Sequence, residues 1–193
     1  MISPVRQARG DRGAAKAAPC LRVVGLGNAF AGDDSVGLEI VNRLRAREEC
    51  DYELLALPQA GVELIDALEN IDAVLFIDAV SSGSPPGTLH LVPLPCGEVA
   101  SRALSSLSSH GWGLAEALEL MAALGRPIPR LALLGVEIAT VEAGRPRSPA
   151  VETAIETVVE RFPAIHAFLA AAEKTGWAGP LRFAPDNAAF AGL

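Results

Sequence analysis

The stretch LRVVGLGNAFAGDDSVGLEIVNRL, Leu21 to Leu44, decides the fold class. Leu21–Gly25 is an apolar run closed by glycine, the pattern of a strand buried on both faces. From Ser35 onward Val36, Ile40, Val41 and Leu44 fall on one helical face, with Glu39, Asn42 and Arg43 opposite. Strand, glycine turn and helix in that order also open a dinucleotide-binding protein. Two requirements of that reading are missing. Phe30 stands where a third glycine would let helix and sheet pack closely, and the second apolar run ends at Leu57-Pro58-Gln59 without an acid for a ribose hydroxyl. Asp33 and Asp34 would also repel a pyrophosphate. The carboxylate pair needs another explanation.

The alternation continues along the chain. Tyr52–Leu57 reads as a second strand, halted by Pro58. Val62–Glu69 reads as a helix burying Leu64, Ile65 and Leu68. Ala73–Asp78 is the most central strand, five apolar residues running into a carboxylate, and SSGSPPG (81–87) follows as a loop. Thr88–Leu94 is placed near an edge, because Pro93 and Pro95 cannot donate to a ladder. Gly113–Leu124 reads as a helix ended by Gly125 and Pro127. Leu131–Ile138 is the last strand. Pro149–Ala172 is a long helix that Pro163 should kink or interrupt. Strands alternating with helices imply a mainly parallel sheet covered on both faces. Residues 1–19 are expected to be a poorly ordered lead-in, 20–173 a single α/β domain, and 174–193 a Gly/Pro/Ala-rich tail.

Composition removes several function classes. The chain has 193 residues, half of them hydrophobic and only 5% aromatic, enough for one domain with an aliphatic core. Its net charge of −7 and scattered basic residues argue against a nucleic-acid partner. Cys20, Cys50 and Cys96 form no CxxC pair, which speaks against a disulfide framework or a structural zinc site. The first twenty residues carry positive charge without an apolar segment behind it, and no apolar run reaches membrane-spanning length. The expected protein is soluble and cytoplasmic.

In open parallel sheets, ligands bind beyond the carboxyl ends of the strands. Asp33 and Asp34 follow the first strand and Asp78 ends the third, so all belong to that rim. Either member of the pair can cap the helix starting near Ser35. Capping needs only one, which leaves the other to face the rim. Asp78 is expensive after five apolar residues unless exposed or paired, as in a rim residue bonded to loop amides. His110, in SLSSHGWGL, sits near a helix start on the same side, where Ser108 or Ser109 can cap. Two carboxylates and one imidazole make an open site for a borderline divalent ion such as nickel or zinc. Their separation in sequence does not establish such a site by itself. His90, in GTLHLVPL, and His166, on the last helix, are weaker candidates. No G-x-S-x-G elbow, Walker A loop or HExxH is present.

GLGNAFAGDDSVGLEIVNRL resembles the opening of the hydrogenase maturation proteases, of the form GxGNxxxxDD/DExxG, complete here from Gly25 to Gly37. GVELIDALENIDAVLFIDAV, PPGTLHLVPL, SSHGWGLAEALEL, LLGVEI and SPAVETAIETVVERF each look like their counterparts in order, across roughly residues 21–170. The resemblance implies a three-layer α/β sandwich with a twisted, mostly parallel five-stranded sheet. It implies a metal site of Asp34, Asp78 and His110, acting catalytically through the metal. Asp34 stands where some members carry Glu, and its shorter reach alters metal distance. Gly25, Gly27, Asn28, Asp33 and Gly37 are then loop residues near the site, with Asp33 in loop structure or capping. The implied reaction is one endoproteolytic cut that removes the C-terminal extension of a nickel–iron hydrogenase large-subunit precursor after nickel insertion. Nickel is carried by that precursor, zinc or a similar ion being able to substitute, and the enzyme is expected to act as a monomer. The alternative on the same residues is a nickel-sensing chaperone that inspects the precursor without cutting it. A nucleotide enzyme or a general peptidase fits less well.

Overall fold

The computed structural model describes residues 21–47, 51–58, 61–94, 111–142, 144–175 and 179–183. Strand β1 is Leu21–Leu26, followed by a 3-10 turn, Gly32–Ser35, and helix α1, Val36–Arg45. Then come β2 (Tyr52–Leu57), α2 (Glu63–Leu68), β3 (Ala73–Val80), β4 (Leu89–Leu94), α3 (Gly111–Ala123), β5 (Arg130–Glu137), α4 (Pro149–Thr175) and β6 (Leu181–Phe183). The described strands form one sheet in the order β2-β1-β3-β5-β4-β6. β2, β1, β3 and β5 are parallel, while β4 runs antiparallel to both β5 and β6.

The strand period of two explains the layers. Val23, Leu75, Ile77 and Leu134 point to one face, where α1 and α4 cover them with Ile40, Leu44, Ile155 and Phe162. Val24, Val74, Phe76 and Leu133 point to the other, beneath Leu64 and Leu68 of α2 and Leu114 and Met121 of α3. This is the three-layer α/β sandwich that the resemblance implied, with one strand more than expected. The sixth strand comes from the stretch set apart as a tail. Three residues are too few to show an alternating pattern, yet Phe183 is buried against Leu89. Pro93 lies beyond Leu89–Leu91, the part of β4 that β6 pairs, so a missing donor is tolerated there.

Of the two effects expected of Pro163, interruption does not occur: the last helix is continuous from Pro149 to Thr175. A proline removes the N–H that would bond the carbonyl four residues earlier, here that of Val159. Arg47, just beyond α1, donates from Nη1 to that carbonyl at 2.7 Å. The donor lost to the ring is replaced from a neighbouring element. The lead-in (1–19) and the three cysteines lie outside the described residues. Among the described residues, no helix is long and apolar enough to cross a membrane.

Candidate active site

The rim at the carboxyl ends of the strands is built first by close backbone contacts. A Cβ placed on Gly37 would lie 2.2 Å from the Ile77 carbonyl oxygen and 2.3 Å from that of Leu26. The first turn of α1 can therefore rest against β1 and β3 only with glycine there. Gly27 is equally confined, its Cβ position lying 2.2 Å from the Asp34 carbonyl oxygen. Asn28 N–H donates to that same oxygen at 3.1 Å, and the Asn28 carbonyl accepts from Ala31 N–H at 3.1 Å. The result is a closed turn whose 3-10 segment packs against β3.

That turn gives the two adjacent aspartates different surroundings. Asp33 is completely buried. Its Oδ1 accepts from Ser148 N–H at 2.6 Å, and its Oδ2 accepts from Ala139 N–H and Ser148 Oγ–H, each at 3.0 Å. Ser148 opens α4, since its carbonyl accepts the first helical bond from Glu152 N–H. Asp33 therefore ties the glycine turn to the segment after β5 and to the start of the last helix. The N-cap of α1 is Ser35 rather than either aspartate, and its side chain makes no capping hydrogen bond. The intervening 3-10 turn, which no spacing rule revealed, takes that place. Asp34 is buried in the turn beside β3.

Asp78 is fully buried within β3, which continues past it to Val80, and its Oδ1 accepts from Ala79 N–H at 2.8 Å. It shares a sheet face with Phe76 and Val80, the face that α2 and α3 cover. Asp34 thus lies in the 3-10 turn that contacts β3, the strand that carries Asp78. His110 lies outside the described residues, as do Ser108 and Ser109. The chain resumes at Gly111 as the first residue of α3, whose end returns through residues 124–129 to the amino end of β5. α3 therefore runs antiparallel to β5, and its start lies toward the carboxyl rim. Among the described residues, no three His, Cys, Asp or Glu side chains are grouped so as to hold a metal ion.

Charged groups hold this corner from outside. Arg147 Nη1–H donates to Ser35 Oγ at 3.1 Å, and Ser35 Oγ–H donates to the Gly32 carbonyl at 2.7 Å. Arg147 also bonds Glu152, which pairs with Arg43, and Arg43 bonds Glu39 on its own helix. Hydrogen bonding from Arg147 holds the Glu152 carboxyl below its ordinary range, and Glu39 and Glu152 raise Arg43. The network links α1, α4 and the residue after Asp34.

A second buried polar group adjoins the rim, one that sequence reasoning missed. Glu137 is 2% exposed; its Oε1 accepts from Ser82 and Gly83 N–H at 2.7 and 2.9 Å. Its Oε2 accepts from Ser82 Oγ–H at 2.8 Å and lies 3.1 Å from His90 Nε2. Burial pushes the His90 imidazole below its usual range, against the opposing attraction of Glu137. The neutral imidazole then donates from Nε2–H to the carboxylate. The available signal was an acid ending the apolar run LALLGV, the same kind of signal that singled out Asp78. His166 sits with its ring 5.4 Å from that of Tyr52, packed edge-on and away from the rim.

Comparison with known proteins was consistent along most of the chain. The profile of the HycI hydrogenase maturation protease family matches residues 38–164. The hydrogenase 2 maturation protease of Escherichia coli (strain K12) is 34% identical over 157 residues, covering 80% of this chain and 91% of that protein. The hydrogenase expression/formation protein HupD of Thiocapsa roseopersicina is 30% identical over 155 residues, covering 74% and 69%. The hydrogenase maturating endopeptidase HybD from E. coli superimposes with a TM-score of 0.65 at 28% identity, over 84% of this chain and 97% of that one.

Proposed function

Because the chain belongs to the hydrogenase maturation protease family, we propose that it is the endopeptidase that removes the C-terminal extension of a nickel–iron hydrogenase large-subunit precursor after nickel insertion. The observation that carries this reading is the burial of two carboxylates, Asp34 in the 3-10 turn and Asp78 in β3, on two elements that contact each other. If His110 joins them, the donor set would be two carboxylates and one imidazole, which would suit a borderline divalent ion and leave positions open to the substrate.

Nickel comes with the precursor as part of the substrate, and zinc or a similar ion would satisfy the same donors. Held by Asp34, Asp78 and His110, such an ion would supply Lewis-acid chemistry at the bond to be cut. The protein's own residues supply position. The closed glycine turn presents Asp34, β3 presents Asp78, and Asp33 and Arg147 keep the turn from moving. One chain carries all three side chains, so a monomer acting in the cytoplasm suffices. The test is the mass of nickel-loaded precursor after incubation with wild type, Asp34→Asn and His110→Ala. Wild type should shorten it once, and neither variant should. Processing by either variant at the normal rate would remove that residue from the site.

A further inference from the structure

Phe30 is 83% exposed, whereas Phe76 and Phe162 are fully buried and Phe183 is 5% exposed. In a chain with so few aromatics, an exposed ring on the loop that carries Asp34 stands out. A single exposed apolar residue is ordinary on a protein surface. What distinguishes this one is how firmly its backbone is held.

Phe30 N–H donates to Asn28 Oδ1 at 3.0 Å, and its carbonyl accepts from Gly144 N–H at 2.9 Å. Ala31 N–H bonds the Asn28 carbonyl, and Asp34 N–H bonds the Ala31 carbonyl. Asp33 then fixes the far side of the turn to Ala139 and Ser148. The Phe30 N–H and carbonyl and both backbone groups of Ala31 are tied down while the ring itself projects into water. Such an aromatic loses little further freedom on contact, the condition under which one side chain dominates an interface.

Its position gives it a partner. Phe30 lies four residues before Asp34 and lines a cleft of about 530 Å³ with Ala29, Arg145, Pro146 and Arg147. Val141, 58% exposed, belongs to the segment that Gly144 bonds to Phe30. Two exposed apolar side chains thus stand on two hydrogen-bonded loops at the edge of the proposed site. The cleft is also lined by Gly32 and Ser35, the residues on either side of the Asp33–Asp34 pair.

We propose that Phe30 is the docking anchor for the protein substrate, seating against an apolar side chain or pocket of the precursor beside the bond to be cut, with Val141 extending the contact. This rests on the proposed processing function, and the test separates the two. Single-turnover cleavage of nickel-loaded precursor is measured against enzyme concentration for wild type, Phe30→Ser, Phe30→Leu and Leu120→Ser. Direct binding of the same precursor is measured in parallel by calorimetry. Leu120 is an exposed apolar residue near the other end of α3 and serves as control. Phe30→Ser should raise the half-saturating concentration and the dissociation constant at least about tenfold, with the plateau rate unchanged. Phe30→Leu should restore most of the loss, and Leu120→Ser should match wild type. Equal binding by wild type and Phe30→Ser overturns the proposal, whether or not the precursor is cut. Binding that depends on Phe30 without any cleavage overturns the processing function and upholds the anchor. A precursor that wild type neither binds nor cuts overturns both.

Discussion

Asp33 and Asp34 are neighbours in sequence with separable tasks, and replacing each by asparagine should show it. Asparagine keeps the shape of Asp33 but turns one acceptor oxygen into a donor. If the new NH2 takes the Oδ1 position, it faces Ser148 N–H, now 2.6 Å from an oxygen. If it takes the Oδ2 position, Ser148 Oγ can rotate to accept, but Ala139 N–H loses its partner. The second arrangement is the cheaper. It strands one partly buried backbone donor, worth about 1–2 kcal/mol, and removes the charge from the remaining bonds, for a total of about 2–4 kcal/mol. A chain of this length loses about 2–4 °C of Tm per kcal/mol, so Asp33→Asn should melt about 4–16 °C lower. Thermal unfolding by circular dichroism measures that shift. Cleavage is then assayed well below both melting temperatures, where Asp33→Asn should still shorten the precursor and Asp34→Asn should not. An unchanged Tm for Asp33→Asn, or loss of its cleavage while fully folded, would refute the division of labour.

Gly37→Ala should cost about 3 kcal/mol or more, because the new methyl meets two backbone carbonyls that cannot rotate away; a Tm within a degree of wild type would contradict the packing described. Arg47→Met should cost about 1–2 kcal/mol by stranding the Val159 carbonyl. Adding Pro163→Ala restores a helical donor, so a double-mutant cycle read by urea denaturation should show coupling, and strict additivity would count against the substitution of donors. His90 is held neutral by burial, with Glu137 and Arg182 as its charged neighbours. Its folded pKa lies below the ordinary 6.5, so the unfolded chain takes up the proton first as pH falls. Stability present above pH 6.5 should therefore decline below it, down to the folded-state pKa. His90→Gln should flatten that decline in urea unfolding between pH 7.5 and 5.5, and an identical slope in both proteins would exclude His90 as its source.

Several elements were legible because local pattern and tertiary demand agreed. β2 spans Tyr52–Leu57 as the apolar run and Pro58 indicated, and the inner residues of α1 are those of its helical stripe. Asp78 reads in the sequence as the end of its strand, but β3 continues to Val80, because Ala79 and Val80 pair with β5 as the residues before them do. Other features depended on partners distant in sequence. Asp33 bonds residues more than a hundred positions away, so nothing near it distinguished it from Asp34. Pro163 looked disruptive because its compensating donor, Arg47, lies more than a hundred residues earlier, just beyond α1. β6 is only three residues long and owes its place to pairing with β4. Glu137 resembled any acid at a strand end until Ser82, Gly83 and His90 converged on it.

The most direct measurement is the intact mass of a hydrogenase large-subunit precursor after incubation with this protein, with and without nickel in the precursor. The expected result is a single loss equal to the C-terminal extension, from the nickel-loaded form only, abolished in Asp34→Asn, Asp78→Asn and His110→Ala. An unchanged mass in a stable complex would contradict it and assign the protein to inspection of the precursor without cleavage.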